Sequence, residues 1–452
     1  MKSNPMNSRE RRAVALLASI YALRMAGLFL ILPVFALYAT GLDGHTPFLI
    51  GLAIGIYGLT QAVLQIPFGF ASDRIGRKPV IAVGLLIFAA GSVIAATASS
   101  LWMVILGRAV QGAGAIPAAV MAMVADLTRE EQRSKAMAAI GMSIGASFVL
   151  SLILGPVLDG LIGVPGIFWI TGLFALLAIG IILFAVPTPV RTQKRAGNLR
   201  KDFARILRDR QLLRLDAGVF VLHLVMTAMF VVLPGSIAQT MDLPSAAHWK
   251  LYLPAMLLGF LGMLPFLIHA NRQKATRRVL TGGVAMLIAA QAVLFFFADQ
   301  KIGLVAGLFL FFLSFNLLEA MLPSLISRLA PSESKGAAIG VYSTAQFLGA
   351  FAGGALAGLI SGYGAQGVFL LTGGALTVWW LLALSMREPR FLASKQLNVG
   401  AQSVPQAEKL ARKLAAVPGV AEAIVIAEEG VAYLKVDPNA LDHKRLQSFS
   451  VS

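Results

Sequence analysis

The sequence contains no cysteine, and only 13% of its 452 residues are charged, against about 25% in ordinary soluble domains. The absence of cysteine excludes disulfide frameworks, thiolate metal sites and cysteine nucleophiles. The low charge density excludes an ordinary soluble protein of this length. Hydrophobic residues make up 58% of the chain, and several apolar runs exceed the roughly 18 residues that indicate a membrane-spanning helix. The sequence therefore predicts a polytopic membrane protein.

Charged, proline-rich and glycine-rich breaks divide the chain into twelve apolar segments. The first run continues from Arg12 to about Tyr38 without a small-residue cleavage site, so a cleavable signal peptide is not expected. The predicted fold class is all-α, with twelve transmembrane helices in two six-helix halves. The predicted spans are 13–40, 47–70, 79–98, 101–126, 135–160, 166–186, 215–240, 249–270, 279–298, 303–328, 335–361 and 365–386.

Basic residues are concentrated on one side of this arrangement. If the first span leaves the cytoplasm, 28 of the 32 basic residues before residue 396 lie in cytoplasmic segments, and only Lys250 and Lys301 lie on the other side. This is the positive-inside bias, which places both termini in the cytoplasm. The net charge of +17 is then mostly a topological signal, and no nucleic-acid partner is expected.

The longest internal link separates six spans from six. It carries nine basic residues between Pro187 and Arg214, which fits either a basic helix on the inner leaflet or a solvated connector. Weak similarity joins the halves, since IPF at 66–68 recurs as LPF at 264–266. Internal repeats of this kind are typical of transporters with a site between the repeats. The predicted units are an N-terminal half at 1–190, a basic linker at 191–214, a C-terminal half at 215–395 and a soluble domain at 396–452.

The last 57 residues have the composition of a soluble domain, with six basic and six acidic side chains. Their pattern predicts a strand, a helix, two strands joined by a turn, and a final helix. This βαββα order predicts an α+β module of ferredoxin-like type without its last strand. Because so small a domain buries little surface, we expect it to dock on the membrane domain or on a second copy of itself. Its role is then regulation or self-association, and a tolerated appendage is the alternative. The predicted elements are 396–399, 407–416, 420–427, 431–436 and 440–449.

The link between the second and third spans reads GFASDRIGRKP, from Gly69 to Pro79. The carboxylate of Asp73 can sit at the N-terminus of another helix, where unpaired N–H groups favour an anion. Gly69 and Gly76 allow the backbones to approach closely. The expected acceptor is the start of the eleventh span, which is rich in small residues.

Arg77 extends this cluster toward the fourth span. It can pair with Asp126 at the end of that span, and Arg133 in the following link is a second candidate partner. Topogenic loop charge is the alternative explanation, but it does not account for an acidic residue and two glycines.

Two further motifs follow within the spans. The fourth span contains RAVQGAG from Arg108 onward, and the fifth contains Gly141, Gly145, Gly155 and Pro156. Small residues at helical spacing allow tight helix packing, and Pro156 removes a backbone hydrogen bond and so makes the segment bendable.

These three motifs, in this order, resemble the signatures of the major facilitator superfamily, and residues 13–388 are similar to its twelve-helix drug:proton antiporters. The resemblance implies that the first cluster latches the outward-facing state, that the arginine of the second motif takes part in proton coupling, and that the third motif marks an antiporter. With the small domain added, the chain resembles a group of bacterial inner-membrane transporters. The resemblance thus implies proton-driven efflux of a small amphipathic compound by alternating access.

Four ionisable residues lie inside spans, where they are costly and usually functional. They are proton-coupling candidates on spans one, four, seven and ten: Arg24, Arg108, His223 and Glu319. Glu319 is the favoured proton carrier, because a buried carboxyl group can exchange protons near neutral pH. The alternative is a structural carboxylate paired with Arg24 or another buried group. Asn316 shares a helical face with Glu319 and could serve the same polar site.

Other polar side chains in the spans are candidates either for the substrate cavity or for hydrogen bonds between helices. A proton-coupled importer and a membrane sensor with a regulatory C-terminal domain are the alternative functions. An enzyme, a metal site and a cofactor are not expected, since no nucleophile–base arrangement or ligand cluster is present in the sequence. The expected partners are a small-molecule substrate, protons and the lipid bilayer. The cavity candidates are Tyr57, Gln61, Gln65, Gln111, Asn316 and Gln346.

Overall fold

The computed structural model describes residues 5–188, 199–272, 275–330, 335–388, 393–400, 402–427, 430–437 and 440–451. Its contacts divide the chain into two units. The first holds residues 1–271 and 277–387, and the second holds residues 388–452 together with 272–276. The first unit is helical, and the second contains the sheet.

The N-terminal part of the first unit consists of seven helices. Pro33 lies in the first turn of the second helix and Pro117 begins the sixth, where a missing N–H costs least. These prolines explain why the first and fourth predicted spans are each built from two helices. The helices are α1 (Ser8–Phe29), α2 (Leu32–Ala39), α3 (Pro47–Arg74), α4 (Arg77–Ala96), α5 (Leu101–Ala113), α6 (Pro117–Leu127) and α7 (Glu130–Gly180).

Helix α7 contains the fifth and sixth predicted spans. With a rise of 1.5 Å per residue, its 51 residues would extend about 77 Å, more than twice the hydrocarbon thickness of a bilayer. Gly163 interrupts it with a φ of 67°, a conformation that only glycine adopts at little cost. The described chain therefore has eleven helices long and apolar enough to cross a membrane, and one of them carries two of the twelve predicted spans.

The C-terminal part of the first unit begins within the predicted basic linker, of which residues 191–198 lie outside the described residues. Ile206, at the end of a short helix there, is buried in the apolar core. The next helix begins at Arg210, five residues before the predicted span. The helices are α8 (Leu199–Ile206), α9 (Arg210–Met241), α10 (Trp249–Arg272), α11 (Thr276–Phe297), α12 (Lys301–Leu329), α13 (Lys335–Ser361) and α14 (Ala365–Leu384).

The helix termini define two ends of this first unit. We call the end that carries Arg74 and Arg210 the basic end, and the end that carries Pro47 and Ser361 the opposite end. Helices α3, α7, α9 and α13 connect the two ends, and contacts between α3 and α13 and between α9 and α13 are the most extensive of the bundle.

Glycines join the two halves along α3 and α13. A Cβ on Gly354 of α13 would lie 2.5 Å from the carbonyl oxygen of Gly51 and 2.9 Å from the Cα of Gly55, so these backbones touch. Toward the basic end of α13, a Cβ on Gly336 or Gly340 would meet no atom within 4 Å. Along this seam the backbones therefore touch toward the opposite end and leave open space beside Gly336 and Gly340 toward the basic end, although Gln65 of α3 still reaches the carbonyl oxygen of Gly340 at 3.4 Å.

The second unit contains a three-stranded sheet with strand order β1-β3-β2, and both strand pairs are antiparallel. The predicted βαββα order is confirmed, with shifted boundaries. Leu434 and Val436 of the central strand are buried in a small apolar core. The N–H of Val451 donates to the carbonyl of Asn398 at 2.9 Å, on the outer edge of the first strand. The elements are β1 (Ala393–Asn398), α15 (Val404–Ala415), β2 (Val420–Ile426), β3 (Val431–Val436) and α16 (His443–Gln447).

Candidate functional site

Arg24 lies on α1 in the interior of the N-terminal half, with 1% of its surface exposed. Its Nη2 donates to Oε1 of Gln61 and, at 3.1 Å, to the carbonyl of Gly114. The guanidinium carbon lies 5.6 Å from the centre of the Tyr57 ring, within cation–π distance. The structure thus brings three predicted candidates, from α1 and α3, into direct contact.

Arg108 lies on α5 and contacts the same aromatic ring. Its guanidinium carbon is 5.0 Å from the ring centre of Tyr57, and its Nη1 donates to Oε1 of Gln111 at 2.9 Å. Gln111 in turn donates to Ser92 on α4 at 2.8 Å. Arg24 does not pair with Glu319 in this structure, because its partners are Gln61 and a backbone carbonyl. The other form of that alternative, a structural carboxylate paired with another buried group, stays open.

A second polar group lies in the C-terminal half. Oε2 of Glu319 on α12 is 3.9 Å from Nε2 of His223 on α9, and Nε2 of Gln346 on α13 is 2.7 Å from the same nitrogen. The other ring nitrogen of His223 lies 3.2 Å from the carbonyl of Val219. Three predicted candidates from three helices therefore meet at one imidazole, close enough to a carboxyl group for proton exchange through a small shift or one water.

The polar cavity candidates are engaged in bonds between helices. Gln65 donates to the hydroxyl of Thr344 at 2.5 Å, which links α3 to α13 across the two halves. Asn316 donates to the sulfur of Met256 on α10 at 3.7 Å, so it does not share a partner with Glu319 as its spacing suggested. Bonds between helices are one of the two interpretations of these residues, and a role in the substrate cavity stays a prediction.

Two buried polar residues of the C-terminal half were not predicted from the sequence. Asp216 on α9 is 6% exposed, and Tyr342 on α13 is 5% exposed. Asp216 was missed because the predicted span began at residue 215, which placed it at a membrane boundary. The signal in the sequence is its spacing, since Asp216 lies seven residues before His223 and Tyr342 four residues before Gln346.

An aromatic cluster lies between the two polar groups. Phe148 of α7 contacts Phe29 of α1 at a centroid distance of 5.0 Å, and it contacts Phe315 of α12 at 5.9 Å and Phe230 of α9 at 6.4 Å. The Phe315 ring also lies 6.2 Å from the ring of His223. Aromatic side chains from both halves therefore form an apolar contact beside the imidazole.

The GFASDRIGRKP link forms an ion-pair cluster at the basic end. Nε of Arg77 lies 3.0 Å from Oδ2 of Asp126, and Nη1 of Arg77 lies 2.5 Å from Oδ1 of Asp73. The suggested pair between Arg77 and Asp126 is thus present. Nε of Arg133 donates to the carbonyl of Ala125 at 3.3 Å.

Asp73 is not seated on the start of α13 in this structure. Its side chain is 58% exposed, and within the described residues its ion-pair partner is Arg77. A Cβ on Gly336 near the start of α13 would also meet no atom within 4 Å, so this state leaves open space there, and the seat of Asp73 on α13 stays a prediction for the other state. Gly76 is needed for the turn itself, since its φ is 118° where α4 begins, whereas a Cβ on Gly69 would make only an ordinary contact at 3.4 Å.

The glycines of the fifth span differ from one another. A Cβ on Gly155 would overlap the carbonyl oxygen of Leu30, so this part of α7 packs tightly on the N-terminal helices as expected. Gly141 and Gly145 would meet no atom within 4 Å, so the expectation of tight packing is wrong for them in this state. Pro156 lies inside α7, which continues through it.

Asp73→Asn is expected to change the free energy of unfolding by less than about 1 kcal/mol, because an exposed ion pair contributes little to stability. It is also expected to slow closure of the basic end. A cysteine introduced at Met142, which is 70% exposed in a chain without native cysteine, reports that closure through maleimide labelling in membranes.

The matched control is Asp126→Asn, which breaks the pair with Arg77 inside one half and is expected to lower thermal stability in addition. Equal labelling rates in Asp73→Asn and the wild type would contradict the role of Asp73 in closure.

Comparison with known proteins decides the family. A family model of the Major Facilitator Superfamily matches residues 17–354 and 277–427. The chain belongs to this superfamily. It is 44% identical over 440 residues to the inner membrane transport protein YajR of Escherichia coli, covering 97% of this chain and 96% of that one. It is 25% identical over 364 residues to the multidrug resistance protein MdtH of Yersinia pestis, covering 79% and 88%.

Comparison with solved structures gives the same fold for this chain. A bacterial homologue of the human lysosomal transporter Spinster, in an inward-facing and occupied conformation, matches with a TM-score of 0.70 at 14% identity, over 84% of this chain and 97% of that one. Membership makes the protein a multi-pass membrane transporter, similar to an inner-membrane protein, and the expectation that it is not an enzyme is confirmed.

Proposed function

We propose that the protein is a proton-driven exporter of a small amphipathic compound, which exchanges the compound for protons by alternating access. The observation that carries the proposal is the contact of Glu319, His223 and Gln346 within the C-terminal half. A carboxyl group and an imidazole inside a transmembrane bundle are costly unless they are used, and both exchange protons. The 25% identity to a protein named for multidrug resistance and the antiporter-type sequence of α7 support the same direction of transport.

The two halves carry different kinds of charge. Arg24 and Arg108 keep their charge at every physiological pH, whereas Glu319 loses its charge when it binds a proton. An ionised Glu319 is attracted to the fixed positive charges in a medium of low dielectric constant, and a protonated Glu319 is not. Proton binding can in this way change the relative stability of two arrangements of the halves, which is what coupling requires.

The positive-inside bias orients this cycle. If the basic end is cytoplasmic, the structure is open toward the cytoplasm, the side from which an exporter takes up its substrate. The ion-pair cluster at Arg77 would then close that side in the other state, with Asp73 seated on α13. A proton that moves inward contributes about 2.3 kcal/mol per 100 mV, which is enough to drive export.

Purified protein in proteoliposomes tests the proposal. Compounds that raise its thermal stability are first selected from a set of amphipathic compounds that includes ethidium. An imposed proton gradient, acidic on the side toward which export runs, is expected to accumulate a selected compound on that side and to release protons on the other. Equilibration of the compound without any effect of the proton gradient would point to a facilitator, and accumulation in the reverse direction to an importer.

For the small domain we propose a ferredoxin-like module at 396–452 that supports self-association. The strand order β1-β3-β2 supports this assignment, because a split βαβ unit places its third strand between the first two. Strand β2 lies at an edge of the sheet, and Ile424 on it is 37% exposed. An uncovered edge strand with an apolar residue is a surface on which a second copy can pair.

A further inference from the structure

Asp216 is a buried carboxyl group that lacks hydrogen-bond partners. It lies on α9, with 6% of its surface exposed, and within the described residues neither carboxylate oxygen has a hydrogen-bond partner. An ionised carboxylate in such a place would lose its hydration without any replacement, at a cost of several kcal/mol or more. A protonated carboxyl group avoids most of that cost, so the surroundings of Asp216 favour its neutral acid.

Within the described residues, the helices packed around Asp216 bring no cation into hydrogen-bond contact with it. On α13, Tyr342 lies within electrostatic reach of Asp216, and Glu319 of α12 acts on the same hydroxyl. The hydroxyl of Tyr342 is buried and also has no hydrogen-bond partner in the described chain. Helix α14 contributes the Trp379 indole next to Gly218 and has no titratable side chain between Ala365 and Leu384.

The other titratable side chains close to Asp216 in the chain lie on α9 itself, toward the basic end and further along the helix. Arg214 precedes Asp216 by two residues, and His223 follows it by seven, on the same helical face as Asp216. Neither these residues nor any described side chain of α2, α3 or α8 forms a hydrogen bond or ion pair with Asp216. Asp216, Tyr342, Glu319 and His223 therefore form a polar row on three adjacent helices, and Asp216 lies nearest the basic end.

We propose that Asp216 is a second proton-binding group of the transport cycle, connected to Glu319 through the hydroxyl of Tyr342. The hydroxyl of Tyr342 is not hydrogen-bonded to either carboxyl group in this state, so the transfer requires a shift that brings its oxygen within hydrogen-bond distance of both. Glu319 then gives its proton to the oxygen of Tyr342 while Tyr342 gives its own proton to Asp216, so each step breaks one O–H bond and forms one. Asp216 later gives its proton to water at the basic end and becomes a carboxylate. The proposal rests on the proton as the coupling ion of the proposed function, but protonation of Asp216 can be measured without transport.

Infrared spectroscopy of the full-length protein in lipid tests the protonation directly. At neutral pH, the wild type is expected to show a carbonyl stretching band of a protonated carboxyl group that shifts in heavy water and is absent in Asp216→Asn. Asn resembles the neutral acid in shape, so this variant is expected to fold. The matched control is Asp242→Asn at the exposed end of the same helix, where a φ of 55° suits asparagine and the band should remain. An unchanged band in Asp216→Asn would overturn the proposal.

Proteoliposome transport tests the role of the group. Asp216→Asn is expected to lower proton-driven accumulation of a compound selected by thermal stability at least about tenfold, which is about 1.4 kcal/mol of driving force. Exchange of labelled for unlabelled compound without a proton gradient should continue. Tyr342→Phe removes only an unpaired buried hydroxyl, so it should keep its stability and slow the proton-driven process.

The outcomes separate this proposal from the proposed function. Loss of the infrared band together with loss of proton-driven accumulation in Asp216→Asn supports the proposal. Normal accumulation by Asp216→Asn would overturn it, even if the band is lost. If the wild type shows no proton-driven transport, the proposed function fails, and with it the place of Asp216 in the cycle, while the infrared result still decides whether Asp216 binds a proton.

Discussion

Glu319→Gln is expected to abolish proton-driven accumulation of substrate while exchange without a proton gradient continues. Glutamine keeps the shape of the side chain beside His223 but cannot bind or release a proton. Each coupled proton supplies about 2.3 kcal/mol per 100 mV, which corresponds to roughly a 50-fold concentration ratio. In the variant, the substrate concentrations on the two sides of the membrane should become equal. Substrate accumulation and pH change are measured together in proteoliposomes with an imposed gradient.

Glu408→Gln on α15 is the matched control, because it makes the same chemical change on a small soluble domain and should leave accumulation unchanged. Thermal unfolding of both variants separates coupling from structure. If Glu319 is only a structural carboxylate, the substitution would lower the unfolding temperature and transport in parallel. Wild-type accumulation by Glu319→Gln would show that the proton binds elsewhere.

Gly354→Ala is expected to separate the two halves at the opposite end. A Cβ at this position would lie 2.5 Å from the carbonyl oxygen of Gly51 and 2.9 Å from the Cα of Gly55, and backbone atoms cannot move aside as a flexible side chain can. Overpacking of this kind costs about 1–3 kcal/mol. Because the contact exists only when the opposite end is closed, that cost falls mainly on the closed state and shifts the population toward the open one.

A cysteine in place of the fully buried Ala357, one helical turn further along α13, reports this opening. Its maleimide labelling in membranes should become roughly 5- to 100-fold faster when Gly354→Ala is added. Gly336→Ala is the matched control, because it is the same change on the same helix where a Cβ meets no atom within 4 Å. Equal labelling in the two variants would show that the glycine seam does not hold the opposite end closed.

Much of the membrane unit could be predicted from the sequence because the bilayer imposes simple rules. A crossing needs about 20 apolar residues, and the predicted spans match the observed helices to within a few residues. The pair between Arg77 and Asp126 was also predictable, because both residues lie at helix ends on the same side of the membrane. The strand and helix order of the small domain followed from its alternating and helical periodicities.

The predictions that failed concern contacts that depend on the state of the molecule. The packing of Gly141 and Gly145 requires the basic end to be closed, and a sequence does not say which of two states a structure shows. The seat of Asp73 on α13 stays a prediction for the closed state. The boundary of α9 failed for a different reason. Charged residues mark the ends of an apolar run, so Asp216 fell at the edge of the predicted span although α9 begins six residues earlier.

The sequence by itself determined the membrane class, the superfamily resemblance and the four ionisable residues within the spans, because each of these depends on local composition or on short motifs. Only the tertiary structure decided which of those residues meet. Arg24 and Arg108 share the ring of Tyr57 in one half, while Glu319, His223 and Gln346 meet in the other. Such contacts join residues far apart in the chain, and the packing of α3, α9, α12 and α13 sets them.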